Sequence, residues 1–316
     1  MASEPILTAF ELRVAKRSRC WDPKIWVDYL ALTKPEVNFL IAVTAFAGFY
    51  LDCSSAWHDF PFLRCINAVL GTLMVASGTG ALNQYIERRF DAQMRRTARR
   101  PLAAGRLNPS SVLWFGISLS VLGSVYLAAA VNLLASLLAV GTLLSYLFLY
   151  TSLKRKSALC TLVGAFSGAM PPLIGWAAAS GRLTFGAWIL YSALFLWQFP
   201  HFMSIAWMYR EDYARAGYLV LPHNEHTRER LVNWQTLLPL LLLAIVSLLP
   251  AMVSKSSVAY CIGAVLVWVG FSYHGARFAV RKTRSSARQL LTASIIYLPS
   301  LFALMILLSK GFGGLQ

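Results

Sequence analysis

Long apolar runs separated by short, mostly basic polar stretches dominate this chain. Runs able to cross a bilayer as helices fall near 37–52, 63–86, 112–130, 133–151, 159–179, 185–208, 233–252, 258–275 and 290–309, since about 20 apolar residues span the hydrocarbon core. The pattern predicts an all-α, polytopic membrane protein with about nine transmembrane helices over 36–316, preceded by a cytoplasmic N-terminal segment over 1–35. That segment is polar, basic and tryptophan-bearing, which does not read as a cleavable signal peptide. Only Val131-Asn132 separate the third and fourth runs, so these two helices form a tight hairpin. Pro171-Pro172, Pro200, Pro239 and Pro299 fall inside runs. Membrane helices tolerate such breaks where neighbouring helices or cavity water satisfy the freed carbonyls.

Composition reinforces this reading. Hydrophobic residues make up 57% of the 316 and charged residues 13%, whereas a soluble domain carries about 25% charged residues. The net charge of +16 would suggest nucleic acid in a soluble protein. Here the charges lie between apolar runs, so topology is the better account and no nucleic-acid partner is expected. All but four of the 29 Lys and Arg (Arg64, Arg182, Lys255 and Lys310) fall in the N-terminal segment or in the second, fourth, sixth and eighth connecting loops. Such alternation places the N-terminus inside and the C-terminus outside, as in a multi-pass bacterial inner membrane protein. The five cysteines show no metal-ligand spacing.

The acids carry the candidate chemistry. Glu87, Asp91, Glu211 and Asp212 stand where an apolar run meets an inner loop beside a basic cluster. Asn83, Glu87 and Asp91 recur every four residues, which puts them on one helix face over about 12 Å. Such oxygen ligands suit Mg²⁺, a hard ion that keeps its waters and bridges to phosphate. Arg95, Arg96, Arg99 and Arg100 come directly after, and guanidinium forks meet the charge of a diphosphate that the metal leaves over. A solvated loop that merely sets topology would account for these arginines, but not for two acids and an asparagine on one face. A second acidic helix end, Tyr209-Arg210-Glu211-Asp212-Tyr213, closes the sixth run on the same side. Asp212 also stands at salt-bridge spacing from Arg215, the plainer explanation for it. His201, about two turns inside that end, is either a hydrogen-bonded structural group or a ligand.

At these residues the chain resembles the UbiA-type membrane prenyltransferases. Asn83, Glu87 and Asp91 match the family's first acidic motif, Arg100-Pro101-Leu102 the end of its loop, and Asp212-Tyr213-Ala214-Arg215-Ala216-Gly217 its second acidic motif. Tyr150-Thr151-Ser152-Leu153-Lys154-Arg155, Gly168 to Trp176 and Trp197-Gln198-Phe199-Pro200-His201-Phe202 are similar to the branch that prenylates heme. The chain departs from the family pattern at Glu87, usually Asp, and at Cys160, usually Asn.

The resemblance implies helices around a central cavity and transfer of a farnesyl group from farnesyl diphosphate to a vinyl group of heme B. Water is added and heme O results. It implies Mg²⁺ on Asn83, Glu87, Asp91 and Asp212, with diphosphate clamped by Arg95, Arg96, Arg99, Arg100, Lys154 and Arg155. Tyr209 and Tyr213 would lie beside the phosphate, and His201 would orient heme. Heme A synthase or oxidase-assembly proteins would be partners. Rival readings are a family relative acting on 4-hydroxybenzoate or a quinone precursor, and a transporter, whose acids would lie near the membrane midplane.

Overall fold

The computed structural model describes residues 23–53, 60–253 and 258–308, and every element among them is helical. The chain runs through α1 (Pro23–Leu32), α2 (Pro35–Asp52), α3 (Phe62–Asp91), α4 (Pro109–Ala130) and α5 (Leu133–Leu144). A π-helical turn (Ser145–Tyr150) continues α5, and α6 (Cys160–Gly168) and α7 (Met170–Ser180) come after it. The chain ends in α8 (Phe185–Met208), α9 (Arg210–Arg215), α10 (Glu225–Val253), α11 (Val258–Arg281) and α12 (Arg284–Leu308). Among the described residues eight helical stretches are individually long and apolar enough to cross a membrane, with α6 and α7 together forming one. The pair α1 and α2, bent by 47°, supplies a ninth. This is a multi-pass membrane protein.

Local chemistry sets the boundaries. Asn108 caps α4 by accepting from the Ser110 N–H at 2.9 Å, with Pro109 in the first helical position. Asn132 caps α5 by accepting from Ala135 N at 2.8 Å, and its Nδ2 donates to the Ala177 carbonyl at 2.7 Å. One residue therefore closes the predicted hairpin and ties it to α7. The fifth predicted span breaks at Ala169, just ahead of Pro171-Pro172. The N-terminal segment differs from its polar reading: residues 23–32 form a helix with Trp26, Val27 and Leu30 exposed. At 10 residues it is too short to register as a span. Residues 1–22 lie outside the described part.

Helix α3 packs along α4, α2 against α7, α8 against α10 and α12, and α12 meets α2 to bring the first and last spans together. The α2–α7 crossing is close because both helices carry glycine there. A methyl on Gly175 would collide with the Ala45 carbonyl, and one on Gly48 with the Pro172 carbonyl. Trp176, Tyr260, Phe271 and Tyr297 fill the interior. Trp114, Leu122, Leu241, Ile245 and Leu266 are exposed on the outside, where lipid is the solvent that suits them.

Replacing Gly175 by Ala should lower the thermal midpoint in detergent, because overpacking costs about 1–3 kcal/mol. Gly141→Ala, where an added methyl meets nothing within 4 Å, should leave it unchanged or raised. Equal midpoints for the two variants would contradict the close crossing.

Candidate active site

Helix α3 is 30 residues long, or about 45 Å at 1.5 Å per residue, longer than the bilayer core. Its last turns therefore carry Asn83, Glu87 and Asp91 past the apolar stretch, on the face turned into the protein. All three are buried, at 1%, 4% and 1% exposure. Carboxylates held this deep need partners, and each finds a cation from another segment. Glu87 Oε1 accepts from Lys154 Nζ at 2.7 Å, and Asp91 Oδ2 from Arg100 at 2.8 Å. Asn83 Oδ1 accepts from Lys34 Nζ at 3.0 Å.

The π-helical turn brings Lys154 into place. A π turn widens the helix by one residue per turn and re-aims the residues beyond it, and such turns recur at functional sites. Here the Tyr146 carbonyl accepts from both the Thr151 N–H and the Thr151 hydroxyl, the latter at 2.9 Å. Lys154 Nζ then lies 4.4 Å from the Tyr150 ring centroid and 5.8 Å from that of Tyr218. Burial alone would depress the Lys154 ammonium, but Tyr150 and the Glu87 carboxylate outweigh it and hold the pKa well above the usual lysine value. Lys154 stays charged at any physiological pH.

The second acidic end docks on the first. Asp212 Oδ2 accepts from the Arg96 backbone N–H at 3.3 Å, and its other oxygen pairs with Arg215, as the sequence spacing allows. Arg96 also donates to the Tyr213 hydroxyl at 3.2 Å, and its guanidinium lies 4.9 Å from the Tyr209 ring centroid. Arg155 rests over Phe90 at 4.6 Å. A cavity of about 470 Å³ opens beside these groups, lined by Ile86, Glu87, Phe90, Thr151, Ser152, Arg155, Lys156 and Tyr218. Burial pushes the Tyr218 phenol up, so it remains protonated there.

Arg95 and Arg99 stand apart. Both are exposed, and neither side chain meets an acid among the described residues; Arg99 contributes its carbonyl to Arg106 at 3.1 Å. Cys160 is buried in the first turn of α6. His201 faces α12 rather than the acids. Its Nδ1 lies 2.8 Å from Ser294 Oγ, and its ring stacks on Trp197 at 4.6 Å. The Ser294 hydroxyl donates its one hydrogen to the Leu291 carbonyl at 2.6 Å. With the hydroxyl so turned, Nδ1 donates to Ser294 Oγ and Nε2 keeps its lone pair.

Lys34 and Tyr218 join the site without a signal in the sequence. Lys34 sits among topology charges, and Tyr218 needs the loop after α9 to bring it in.

Among the described residues no three His, Cys, Asp or Glu side chains converge as a metal cluster. Mg²⁺ needs no such cluster, because it takes one or two carboxylates and completes its shell with water and phosphate oxygens. The donors fit that requirement: Asp91 Oδ1 is a buried carboxylate oxygen without a hydrogen-bond partner, beside a second carboxylate one turn away.

A profile of the UbiA prenyltransferase family matches residues 41–311. The chain belongs to this family. A protoheme IX farnesyltransferase of Solibacter usitatus (strain Ellin6076) is 46% identical over 291 residues, covering 89% of this chain and 98% of its own. One from Salinibacter ruber (strain DSM 13855 / M31) is 40% identical over 291 residues, covering 89% and 98%. Solved structures share the UbiA fold. That of digeranylgeranylglyceryl phosphate synthase in membranes superposes with a TM-score of 0.72 at 17% identity, covering 92% of this chain and 99% of its own. A UbiA homolog from Archaeoglobus fulgidus bound to GPP and Mg²⁺ gives 0.60 at 15% identity, covering 88% and 99%.

Replacing Lys154 by Met strands the Glu87 carboxylate, and breaking one side of a buried pair costs about 3–5 kcal/mol. The variant should lose most of its stability in a denaturant titration, and adding Glu87→Gln should restore much of it. No recovery in the double variant would show that the pair is not what holds the two segments.

Proposed function

We propose that this UbiA-family enzyme transfers the farnesyl group of farnesyl diphosphate to a vinyl group of heme B, with addition of water, giving heme O. The observation that carries the reading is near-full-length similarity, at 46% identity, to a protoheme IX farnesyltransferase. The inner site supplies chemistry that suits it. Arg100, Lys154, Arg96 and Arg155 would take the non-bridging oxygens of the diphosphate, with Arg95 and Arg99 at the mouth. Their charge stabilises the leaving group as the allylic C–O bond breaks. Tyr209 and Tyr213 would border the phosphates and keep Arg96 in place. Bound Mg²⁺, held by Asp91 and Glu87 with Asn83 and Asp212 at its edge, would neutralise diphosphate charge.

The electron-rich vinyl carbon of heme would then bond to the farnesyl carbon, water would capture the cation left beside the porphyrin, and the proton that this water loses would go to the departed diphosphate. The acceptor must therefore reach the site from the apolar interior. The lone pair on His201 Nε2 fits a role as ligand to the heme iron, with Trp197 and Ser294 fixing the ring. His201 in α8 and Tyr209 just past its end are eight positions apart, about 12 Å along a helix, so iron and diphosphate would occupy different depths of one enclosure. The acids lie at helix ends, which favours a diphosphate site over an ion pathway. We place the enzyme in the bacterial inner membrane with its N-terminus and active site cytoplasmic, and propose heme A synthase or oxidase-assembly proteins as recipients of the product.

Purified protein given farnesyl diphosphate, Mg²⁺ and heme B should form heme O, detected by mass, and should not prenylate 4-hydroxybenzoate. The reverse outcome would overturn the acceptor assignment. Asp91→Asn should lower turnover by about 10²-fold or more with unchanged helical content; retained turnover would remove its role. His201→Ala should shift the Soret band of bound heme, and added imidazole should restore it.

A further inference from the structure

Three cations and two carboxylates meet at the inner end of α3, and the pairing leaves one cation over. Lys154 pairs with Glu87 and Arg100 with Asp91. Among the described residues Lys34 has no carboxylate within salt-bridge distance; its ammonium donates to the neutral Asn83 amide oxygen. A half-buried ammonium next to two other cations is unfavourable on its own.

The backbone beneath it is also strained. Lys34 adopts φ 53 and ψ 65, a left-handed conformation that is costly for a non-glycine residue. Pro35 comes next, and a residue before proline prefers extended backbone. Among the described residues only Lys282 shares a positive φ outside glycine, and Lys282 pairs with Glu229. Packing holds the turn in place. Leu32 is fully buried, and its carbonyl accepts from Gln84 Nε2 at 3.0 Å. Gly80 leaves room for the approach, since a Cβ there would sit 3.2 Å from that carbonyl. Strain maintained by its surroundings is characteristic of functional positions, and here it aims an ammonium at the candidate diphosphate site.

We propose that Lys34 binds the substrate diphosphate, with the turn between α1 and α2 presenting its ammonium to phosphate oxygens and Asn83 holding it in position until they arrive. This rests on the diphosphate reading of the inner site but not on the identity of the acceptor. The surplus positive charge is then matched by the substrate's anionic head. Asn83 acts on Lys34 as a positioning residue, in addition to any part in metal binding.

Lys34→Gly tests this, because glycine accepts the left-handed backbone while removing the ammonium. Binding of farnesyl thiodiphosphate, which is slow to react, is measured by calorimetry with Mg²⁺ and without heme, alongside binding of farnesol. Lys34→Gly should keep or raise the thermal midpoint, weaken thiodiphosphate binding by about 10–100-fold and leave farnesol binding unchanged. Lys34→Arg should restore most of the affinity. Thiodiphosphate binding equal to wild type, or an equal loss for farnesol, would overturn the role of Lys34. Should the wild type itself bind no thiodiphosphate, the underlying reading of the site falls with it; a failure to form heme O would leave the proposal standing.

Discussion

The buried ion pair between Glu87 and Lys154 is the contact on which the rest of the candidate site depends. A carboxylate at 4% exposure requires a cation at hydrogen-bonding distance, and the nearest comes from 67 residues further along the chain. The pair forms where α5 has widened into a π turn and the chain after Leu153 brings Lys154 to α3. The Lys154 carbonyl then accepts from Leu219 N at 2.7 Å, which seats the segment after α9. Two parts of the sequence, each an acidic helix end with basic neighbours, are joined by the need to keep charge paired in a setting poor in water.

Pairing of this kind also shapes the chemistry. The carboxylates already have internal cations, so a divalent metal arriving alone at the unpartnered Asp91 Oδ1 would add to a surplus of positive charge. A diphosphate arriving alone would meet Glu87 and Asp91. Were the two to arrive together, Asp91 and Glu87 would hold the metal, and Lys154 and Arg100 would be free to meet phosphate oxygens. On the proposed diphosphate reading, such a site would favour the metal–diphosphate complex over either component, which would suit a reaction that begins with departure of that diphosphate.

Much of this is legible in the sequence, for identifiable physical reasons. Apolar runs of membrane-spanning length have few alternative structures, so the spans and the Val131-Asn132 hairpin come directly from the pattern. Asn83, Glu87 and Asp91 are on one face because helical spacing leaves no other choice. The features hidden from the sequence depend on tertiary contact. Lys34 looks like any topology-setting lysine until the turn before Pro35 is seen to point inward. The re-aiming of Lys154 rests on a π turn whose residues, Ser145 to Tyr150, carry no distinctive pattern. Arg95 and Arg99 have the same composition as Arg96 and Arg100, yet among the described residues only Arg96 and Arg100 contact the acidic helix ends, and only the fold separates the two kinds. The ten residues of α1, apolar and polar mixed, are too short a run to stand out.

We propose that metal and diphosphate bind as one because each balances charge that the internal ion pairs leave over; calorimetric titration of Mg²⁺ into the purified protein with and without saturating farnesyl thiodiphosphate measures this. Mg²⁺ alone should bind weakly, and more tightly by about tenfold or more with the thiodiphosphate present, after correction for Mg²⁺ bound by the free ligand, with the reciprocal gain for the ligand. Equal Mg²⁺ affinity in the two titrations would contradict it.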